Sequence, residues 1–596
     1  MPKEQDMLTT LVKYFEDYID ATQTARALSE QDRDYTDHHQ LTKQEKDILR
    51  RRGQPPVINN RIRKKVNFLR GLERQGRTDP KAYPRTPEHQ NDADAVTDAL
   101  RFVADNALFD QGRSHWFEDF LVPGTGAMEI IVSKDGKRNI EIPNIPWDRF
   151  FYDPHSRRLD FSDAKYKGIV IWTDKEDAIA AFPGAEDVLE TSFIGDNDDT
   201  FSDRPIKWVD SKRNRVRIIQ MYYQWQGVWW LAFFTKSGFL VDPSESPWLD
   251  EDSQPECGIE AQSAYIDRDG MRYGEPRFMI EQQDGINKRE SKMLHLVSQR
   301  QTFSNRKSGI DPREAKRELA KPDGHITING EGVYGQDFGV IQTGDMAAGQ
   351  FTLLQEAKAE MDETSVNASL TGSDQGDSGR AILAKQSGGQ IEITPLFDSK
   401  RAFEMRVYRQ VWNRIRQFWT EERWVRVTDD ERNVKFVGLN RVITVGEILQ
   451  HEFGSIPPEF ANDPRLQQPA GIENQVSEMD VDIIVEDSPD VATIQIEQFE
   501  NLAGLAQAGI TFPPEVYIQA SQLRDKEKLL QMLQGGDDPE AQAQAQQDAE
   551  LAKQLTIERE TAEIQKIGSE AFKNEMDGIK KQSETLENNA QVQGVI

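Results

Sequence analysis

Carboxylates are the residues most able to do chemistry in this chain: 102 Asp and Glu stand against 73 Lys and Arg in 596 residues. Spacing orders three of them. Over 350–370, Phe351, Leu354, Ala357 and Met361 make one stripe of a helix, and Glu356, Glu360 and Glu363 fall together on the opposite face. Such a face can hold a divalent cation, move a proton or repel phosphate. With so many acids no single pair is a signal, and nothing selects a metal site. Other catalytic patterns are missing. There is no Gly-x4-Gly-Lys-Ser/Thr string for nucleotide phosphates and no Gly-x-Ser-x-Gly elbow. His451-Glu452 lacks the second histidine of a zinc helix, and only His38 and His39 of the eight histidines are adjacent. Gly124-Thr125-Gly126 follows a helix and precedes a strand, the reverse of a phosphate loop. The single cysteine, Cys257, excludes an internal disulfide and a cysteine metal site, which fits a reducing compartment. The reading is therefore of a non-enzyme with no catalytic residue, cofactor or metal.

The acidic helix belongs to a longer arrangement, 286–419: helix, polar insert, helix, Gly-rich loop, long helix. The first helix carries Ile286, Met293, Leu296 and Val297 at helical spacing with Lys288, Arg289 and Lys292 among them. The insert, about 309–349, is rich in Gly, Pro and Asp, with a short strand pattern at His325-Ile326-Thr327-Ile328. Basic and acidic helices thus leave one insert and can lie side by side. The loop 372–379 has no apolar anchor and reads as solvent-facing. Helix restarts at 380–386 and breaks at Gly388-Gly389. Thr394 then caps a new helix with Pro395 at its first position. Phe403, Val407, Val411, Ile415 and Phe418 mark its buried face.

Elsewhere, 8–52 reads as helical until Pro55-Pro56. A basic helix follows (Arg61, Arg63, Lys64, Lys65, Arg70, Arg74, Arg77), preferred as a face that is solvated or pairs with neighbouring acids over one that binds nucleic acid. Helices are expected at 92–106 and 112–121, a strand at 127–132, and a hairpin across Lys134-Asp135-Gly136. Alternation at 216–223 and 228–235 predicts an antiparallel pair, in which Trp225, Trp229 and Trp230 pack on helices in preference to stacking on bases. A further hairpin is expected at 424–437, a strand at 481–485, short helices at 490–535, and one long helix at 537–590 with a short heptad run. No stretch is apolar enough to span a membrane and no signal-peptide core is present. Net charge is -29 with pI about 4.8, so tight non-specific DNA binding is disfavoured, because phosphate neutralisation needs clustered cations.

Three word-like strings carry a family resemblance: Val57-Ile58-Asn59-Asn60-Arg61-Ile62 with Gly71-Leu72-Glu73-Arg74-Gln75; Arg77-Thr78-Asp79-Pro80 through Pro84; and Pro146-Trp147-Asp148, Tyr152-Asp153-Pro154, then Asp160-Phe161-Ser162-Asp163-Ala164. With the helix-insert-helix core they resemble portal proteins of short-tailed (podovirus-type) phages. The resemblance implies an α+β, mainly helical portal fold: N-terminal helices and wing (1–275), first stem helix (276–306), clip (307–349), second stem helix (350–370), tunnel loop (371–394), spine helix and return to the wing (395–486), crown (487–536) and a C-terminal helix (537–596) that forms a barrel or is partly disordered. It implies a dodecameric ring at one capsid vertex that passes double-stranded DNA without sequence-specific binding. Implied partners are the terminase large subunit, the head-to-tail adaptor, and capsid and scaffolding proteins, with assembly in the host cytoplasm. Glu356, Glu360, Glu363, Ser373, Asp374, Gln375 and Asp377 would face DNA. Arg313, Lys316, Arg317, Asp323, Tyr334 and Phe338 would dock partners on the clip. The alternatives are another virion structural protein, such as a scaffold or minor tail component, and a metal-dependent nuclease, for which no activity is expected.

Overall fold

Helices open the chain because its apolar residues recur at three and four: α1 (Glu4–Ala21), α2 (Gln23–Thr36), α3 (Lys43–Arg51) and α4 (Arg61–Gln75). The structure is a computed structural model. It describes residues 4–485 apart from 78, 86–89, 134–137, 193–207, 211–212, 299–300, 306–307, 322, 329–331, 342–343, 365–378, 429–433, 446, 448–463, 478 and 480, and beyond these only 513 and 516. The expected crown and C-terminal helix lie outside the described residues, as does His451-Glu452. The chain divides into two units, 1–488 and 489–596, and every helix and strand named here belongs to the first.

After α4 come β1 (Pro80–Pro84), α5 (Gln90–Asn106), α6 (Phe109–Leu121), β2 (Thr125–Glu129), β3 (Ile131–Val132), β4 (Ile140–Glu141), β5 (Asn144–Ile145), β6 (Phe150–Tyr152) and β7 (Tyr166–Asp174). Two short helices, α7 (Lys175–Ala181) and α8 (Glu186–Ser192), precede β8 (Val209–Asp210), β9 (Arg215–Trp225), β10 (Val228–Phe234), β11 (Phe239–Glu245), β12 (Ile259–Ser263), β13 (Tyr265–Ile266) and β14 (Arg272–Tyr273). The remainder is α9 (Ile280–Ser298), β15 (Gln301–Ser304), α10 (Pro312–Leu319), β16 (Phe338–Ile341), α11 (Gly344–Thr364), α12 (Gly379–Phe418), β17 (Arg423–Thr428), β18 (Val434–Leu439), β19 (Arg441–Thr444), β20 (Pro469–Glu473) and β21 (Val481–Val485). The fold is a mixture of helix and sheet of the α+β kind.

The largest sheet runs β11-β10-β9-β7-β6, all antiparallel, with β8 also on β9. The β9–β10 hairpin closes through Gln226 and Gly227, both left-handed (φ 53° and 84°), as a two-residue hairpin turn requires. The expected alternation fails on β9, where Val216 through Tyr223 are all buried. Its polar members go inside too: the Arg217 guanidinium lies 4.8 Å from the Trp172 ring, and Gln220 donates to buried Glu129. Phe15 and Tyr18 of α1 meet Phe151 and Tyr152 edge-on or tilted, so α1 covers one face of the sheet. Trp230 packs edge-on against Trp225 within this core, and the Lys167 ammonium sits over Trp229.

A second core joins α4, α5 and α6 to the C-terminal half of α12 and the β17–β18 hairpin. At its centre Trp116 stacks on Phe403, centroids 3.9 Å apart and planes 7° from parallel. Gly126 is required beside this stack, because a Cβ there would stand 2.7 Å from the Trp116 ring nitrogen and carbonyl. Gly124 (φ 88°) lies against the Tyr273 backbone. The Gly-Thr-Gly turn thus serves close packing. β21 pairs with β1, Pro80 opposite Val485, a partnership between distant parts of the chain that no local pattern announces.

α12 corrects the reading of two helices. It is continuous from Gly379 to Phe418, through Gly388-Gly389 and with Pro395 inside it. Burial of Ile393 and Leu396 on either side of the proline holds the segment helical despite the lost hydrogen bond. Much of the basic run 61–77 pairs internally, as preferred from sequence: Arg61 with Asp362 (3.2 Å), Arg63 with Asp37 (3.6 Å), Arg70 with Glu118 (2.9 Å) and, beyond α4, Arg77 with Glu73 (3.0 Å).

Candidate functional site

The candidate site is the arm built from α9, the insert and α11, which pack side by side. α9 is entered through a one-turn helix, Glu275–Met279, with Pro276 in its first turn. Arg277 there forks onto Asp32 of α2, with Nε–O contacts of 3.0 Å and Nη2–Oδ2 of 2.6 Å. On α9, Ile286 and Leu296 are buried while Val297 is 70% exposed. On α11, Leu354, Ala357 and Met361 are buried while Phe351 is 51% exposed. The α11 stripe is therefore covered only at the end nearer the body, while on α9 the bare Val297 stands beside the buried Leu296.

Glu356 and Glu360 lie exposed on the solvent side of α11. Glu363 is in the same helix, with its side chain outside the described residues, as are Ser373, Asp374, Gln375 and Asp377. The adjoining acid Asp362 is taken by Arg61, which also donates to the Lys358 carbonyl (3.0 Å), and Lys65 donates to the Met361 carbonyl. α4 thus binds the flank of α11 and leaves Glu356 and Glu360 outward.

The insert differs from the sequence expectation. His325–Ile328 is not a strand. The strands are instead β15 and β16, antiparallel from Gln301↔Ile341 to Ser304↔Phe338. Asp337 organises their mouth: its carboxylate accepts from the Val333 N–H (3.0 Å), and its carbonyl accepts from the Asn305 N–H (2.9 Å). α10 begins at Asp311, whose side chain accepts from the Arg313 N–H, with Pro312 next. Asp311-Pro312 was the available signal for this helix. α10 buries Ala315 and presents Arg313, Lys316 and Arg317 to solvent. Asp323 and Tyr334 are also exposed. Phe338 is not: at 4% exposure it packs inside the insert, which corrects its expected place among the exposed residues. A hydrogen bond from Lys321 holds the Glu318 carboxyl below its ordinary value.

Sequence reasoning missed the residues that fasten the arm to the body. Gln283, Asn287 and Ser291 form a polar stripe on α9 that reads as solvated, yet all three are buried against the extended segment 53–61. The clue was that the stripe is uncharged on a helix otherwise rich in charge.

Among the described residues no group of three His, Cys, Asp or Glu is placed to hold a metal ion, and no helix is long and apolar enough to cross a membrane. Cys257 is buried, its thiol pushed up to about 11 by burial.

Proteins similar to this chain share one class, the phage portals. The curated portal protein of Helicobacter pylori bacteriophage KHP30 is 20% identical over 413 residues, 68% of this chain and 66% of that protein. The chain therefore spans just under two thirds of the length of this relative. A sequence model of the phage P22-like portal protein family matches residues 12–574. The chain belongs to that family.

Proposed function

We propose that this portal protein assembles into a dodecameric ring at one capsid vertex, and that DNA passes through the ring during packaging and ejection. The terminase large subunit docks on the insert during packaging and the head-to-tail adaptor takes its place afterwards. Arg313, Lys316, Arg317, Asp323 and Tyr334 supply the docking contacts, with Phe338 beneath them. The observation that carries the reading is the exposed carboxylate face of α11, Glu356 and Glu360, on an arm beside which much of the basic run 61–77 is internally paired. In the ring this face and the loop 371–379 turn to the bore. Phosphate is then repelled along the path, and no counterion-release term holds DNA at each step.

Negative-stain electron microscopy with native mass spectrometry of the concentrated protein tests the proposal. Rings with a central hole and a mass of twelve 68.1 kDa chains, about 817 kDa, are expected. Persistent monomers, even with scaffolding protein present, would sink the ring and favour another virion structural role. Deleting 307–349 should leave rings that no longer bind terminase or adaptor. The purified ring should bind duplex DNA weakly at physiological salt, and nanomolar affinity would contradict the acidic bore.

A further inference from the structure

The extended strap 53–61 has no regular secondary structure before α4 begins, yet its backbone is bonded to α9 in a fixed rhythm. The Arg61 N–H donates to Gln283 Oε1 (3.0 Å), the Asn59 N–H to Asn287 Oδ1 (3.0 Å) and the Val57 N–H to Ser291 Oγ (3.2 Å). Every second strap residue meets every fourth helix residue, and the two chains run antiparallel. Two residues of extended or polyproline chain advance roughly 6.2–6.6 Å. Four residues of α-helix advance about 6 Å, so the repeats stay in step over three rungs. A fourth rung would need a donor at Pro55, which has no N–H, and there His295 Nδ1 meets the Gly53 carbonyl at 3.0 Å instead. Gln283 Nε2 donates to the Asn59 carbonyl (2.7 Å) and to Asn287 Oδ1 (3.0 Å), and Asn287 Nδ2 donates to Gln40 Oε1 (2.7 Å). Gln283, Asn287 and Ser291 are 0, 2 and 3% exposed.

The apolar face of α9 does not by itself fix the height of the helix. Met279, Ile286 and Met293 recur at seven, so a slide of seven residues, about 10 Å, brings Ile286 and Met293 to the fully buried places of Met279 and Ile286, with Arg300 falling at the half-buried place of Met293. The clasp forbids that slide. Seven residues beyond Gln283, Asn287 and Ser291 stand Glu290, Leu294 and Ser298; leucine cannot accept a hydrogen bond, and a glutamate there would be buried without a cation. A slide of four residues keeps three acceptors, Asn287, Ser291 and His295, but brings Glu290 to the place of Ile286 in the core. A period of four and a period of seven coincide in one register only.

We propose that this clasp is a register lock: it fixes the axial position of α9 against the body, and with it the reach of the insert that α9 carries. The lock uses only neutral groups and holds whether or not the chain forms a ring. Two measurements on the full-length protein test it. Amides of Val57, Asn59 and Arg61 should be protected from hydrogen exchange although none of them donates to a helix or strand backbone bond. In Gln283→Leu with Asn287→Leu all three should exchange at least tenfold faster, and the melting temperature should fall, since the Asn59 and Arg61 N–H groups are left without their acceptors. Spin labels at Gln44→Cys on α3 and Asp323→Cys in the insert, both exposed positions, report the register. Labelled chains are diluted in unlabelled ones, and buried Cys257 is left native. Wild type should give one narrow distance, and the leucine variant a second population displaced by up to about 10 Å. A leucine variant with the single wild-type distance overturns the proposal, as do unprotected strap amides in wild type. If the leucine pair does not fold, Ser291→Ala removes one rung. Faster exchange at all three amides together then supports the lock, and faster exchange at Val57 alone refutes it.

Discussion

Pro395→Ala should stabilise the protein, and the sign of the change separates two pictures of α12. Read locally, Thr394 caps a helix with Pro395 at its first position, where the missing N–H is wanted by nothing and the fixed φ is already helical. In the folded chain Pro395 stands sixteen residues inside a forty-residue helix. There it deprives the carbonyl four residues earlier of its donor and crowds it, which costs about 3 kcal/mol relative to alanine. Ile393 and Leu396, 9% and 4% exposed, hold the segment against the core and so limit a kink that would relieve that loss, while Thr394 and Pro395 face solvent. Alanine forfeits the proline's restriction of the unfolded chain, about 0.4–1 kcal/mol. The net expectation is a gain of about 2 kcal/mol. A first-position proline would lose up to about 1 kcal/mol on the same substitution. Urea unfolding followed by tryptophan fluorescence reads the difference, because Trp116 stacks on Phe403 of α12 and reports its docking. A less stable Pro395→Ala protein would refute the continuous helix.

Gly274→Ala should abolish folding or cost about 3 kcal/mol or more, because the new Cβ would lie 2.1 Å from the Val122 carbonyl oxygen and 2.4 Å from that of Leu121, and backbone cannot yield as a side chain can. Gly71→Ala, inside α4 with nothing within 4 Å, should stabilise by about 0.5–1 kcal/mol in the same unfolding assay. Burial lifts the Asp119 carboxyl to about 7 from 3.8, against the pull of Arg33 and hydrogen bonds from Asn144 and the Trp147 backbone. Its folded pKa lies above the unfolded one, so this contribution is full below about pH 4 and lost as pH rises through 7. Asp119→Asn should remove that decline, worth up to about 4 kcal/mol at pH 8.5, and an unchanged pH profile of the urea midpoint would refute it. Phe403→Ala should cost about 3–5 kcal/mol and Phe436→Ala, 63% exposed, under about 0.5, measured side by side.

Local rhythm made much of the architecture readable. The helices at the N-terminus, the β9–β10 and β17–β18 hairpins and the helix-insert-helix order all rest on residues within a turn or two of one another. What escaped depends on distance or on coverage. β1 needed β21, whose pairing Pro80↔Val485 nothing near Pro80 encodes. β9 was expected to alternate, but it is covered on both faces, so Arg217 and Gln220 are drawn inside with the apolar residues. In the candidate site the outward acids of α11 were legible from the stripe opposite them. The burial of Phe338 was not, since the cover over it comes from the insert's own fold. The clasp on α9 was invisible for a further reason: glutamine, asparagine and serine at spacings of four look like any wet face until a strap is laid across them.

The later part of the third string, 153–164, has a related physical origin, and it yields a test. Between β6 and β7 the chain turns without regular structure, so its N–H groups need acceptors from side chains. Asp163 supplies them: its carboxylate accepts from the Ser156 hydroxyl (2.6 Å) and from the backbone N–H groups of Arg157 (2.7 Å) and Arg158 (3.3 Å). Asp153 accepts from the N–H groups of His155 and Lys165. Arg272 closes the loop from inside. It donates to Ser263 and to the Arg158 carbonyl, with its guanidinium 3.7 Å from the centre of the Phe161 ring, a residue held at φ 56°. Burial pushes the Asp163 carboxyl up, but the bonds from Ser156 and the Arg157 and Arg158 backbone outweigh it and hold the group below its ordinary value. Stability from this group is therefore present above about pH 4 and lost as acid protonates it. Asp163→Ala should cost about 1–2 kcal/mol at pH 7, discounted for the exposure of the carboxylate, and much less at pH 3. It should leave ring mass and DNA affinity unchanged. A variant of wild-type stability that fails to form rings would refute this account, because the residue would then be serving a subunit contact and not the loop.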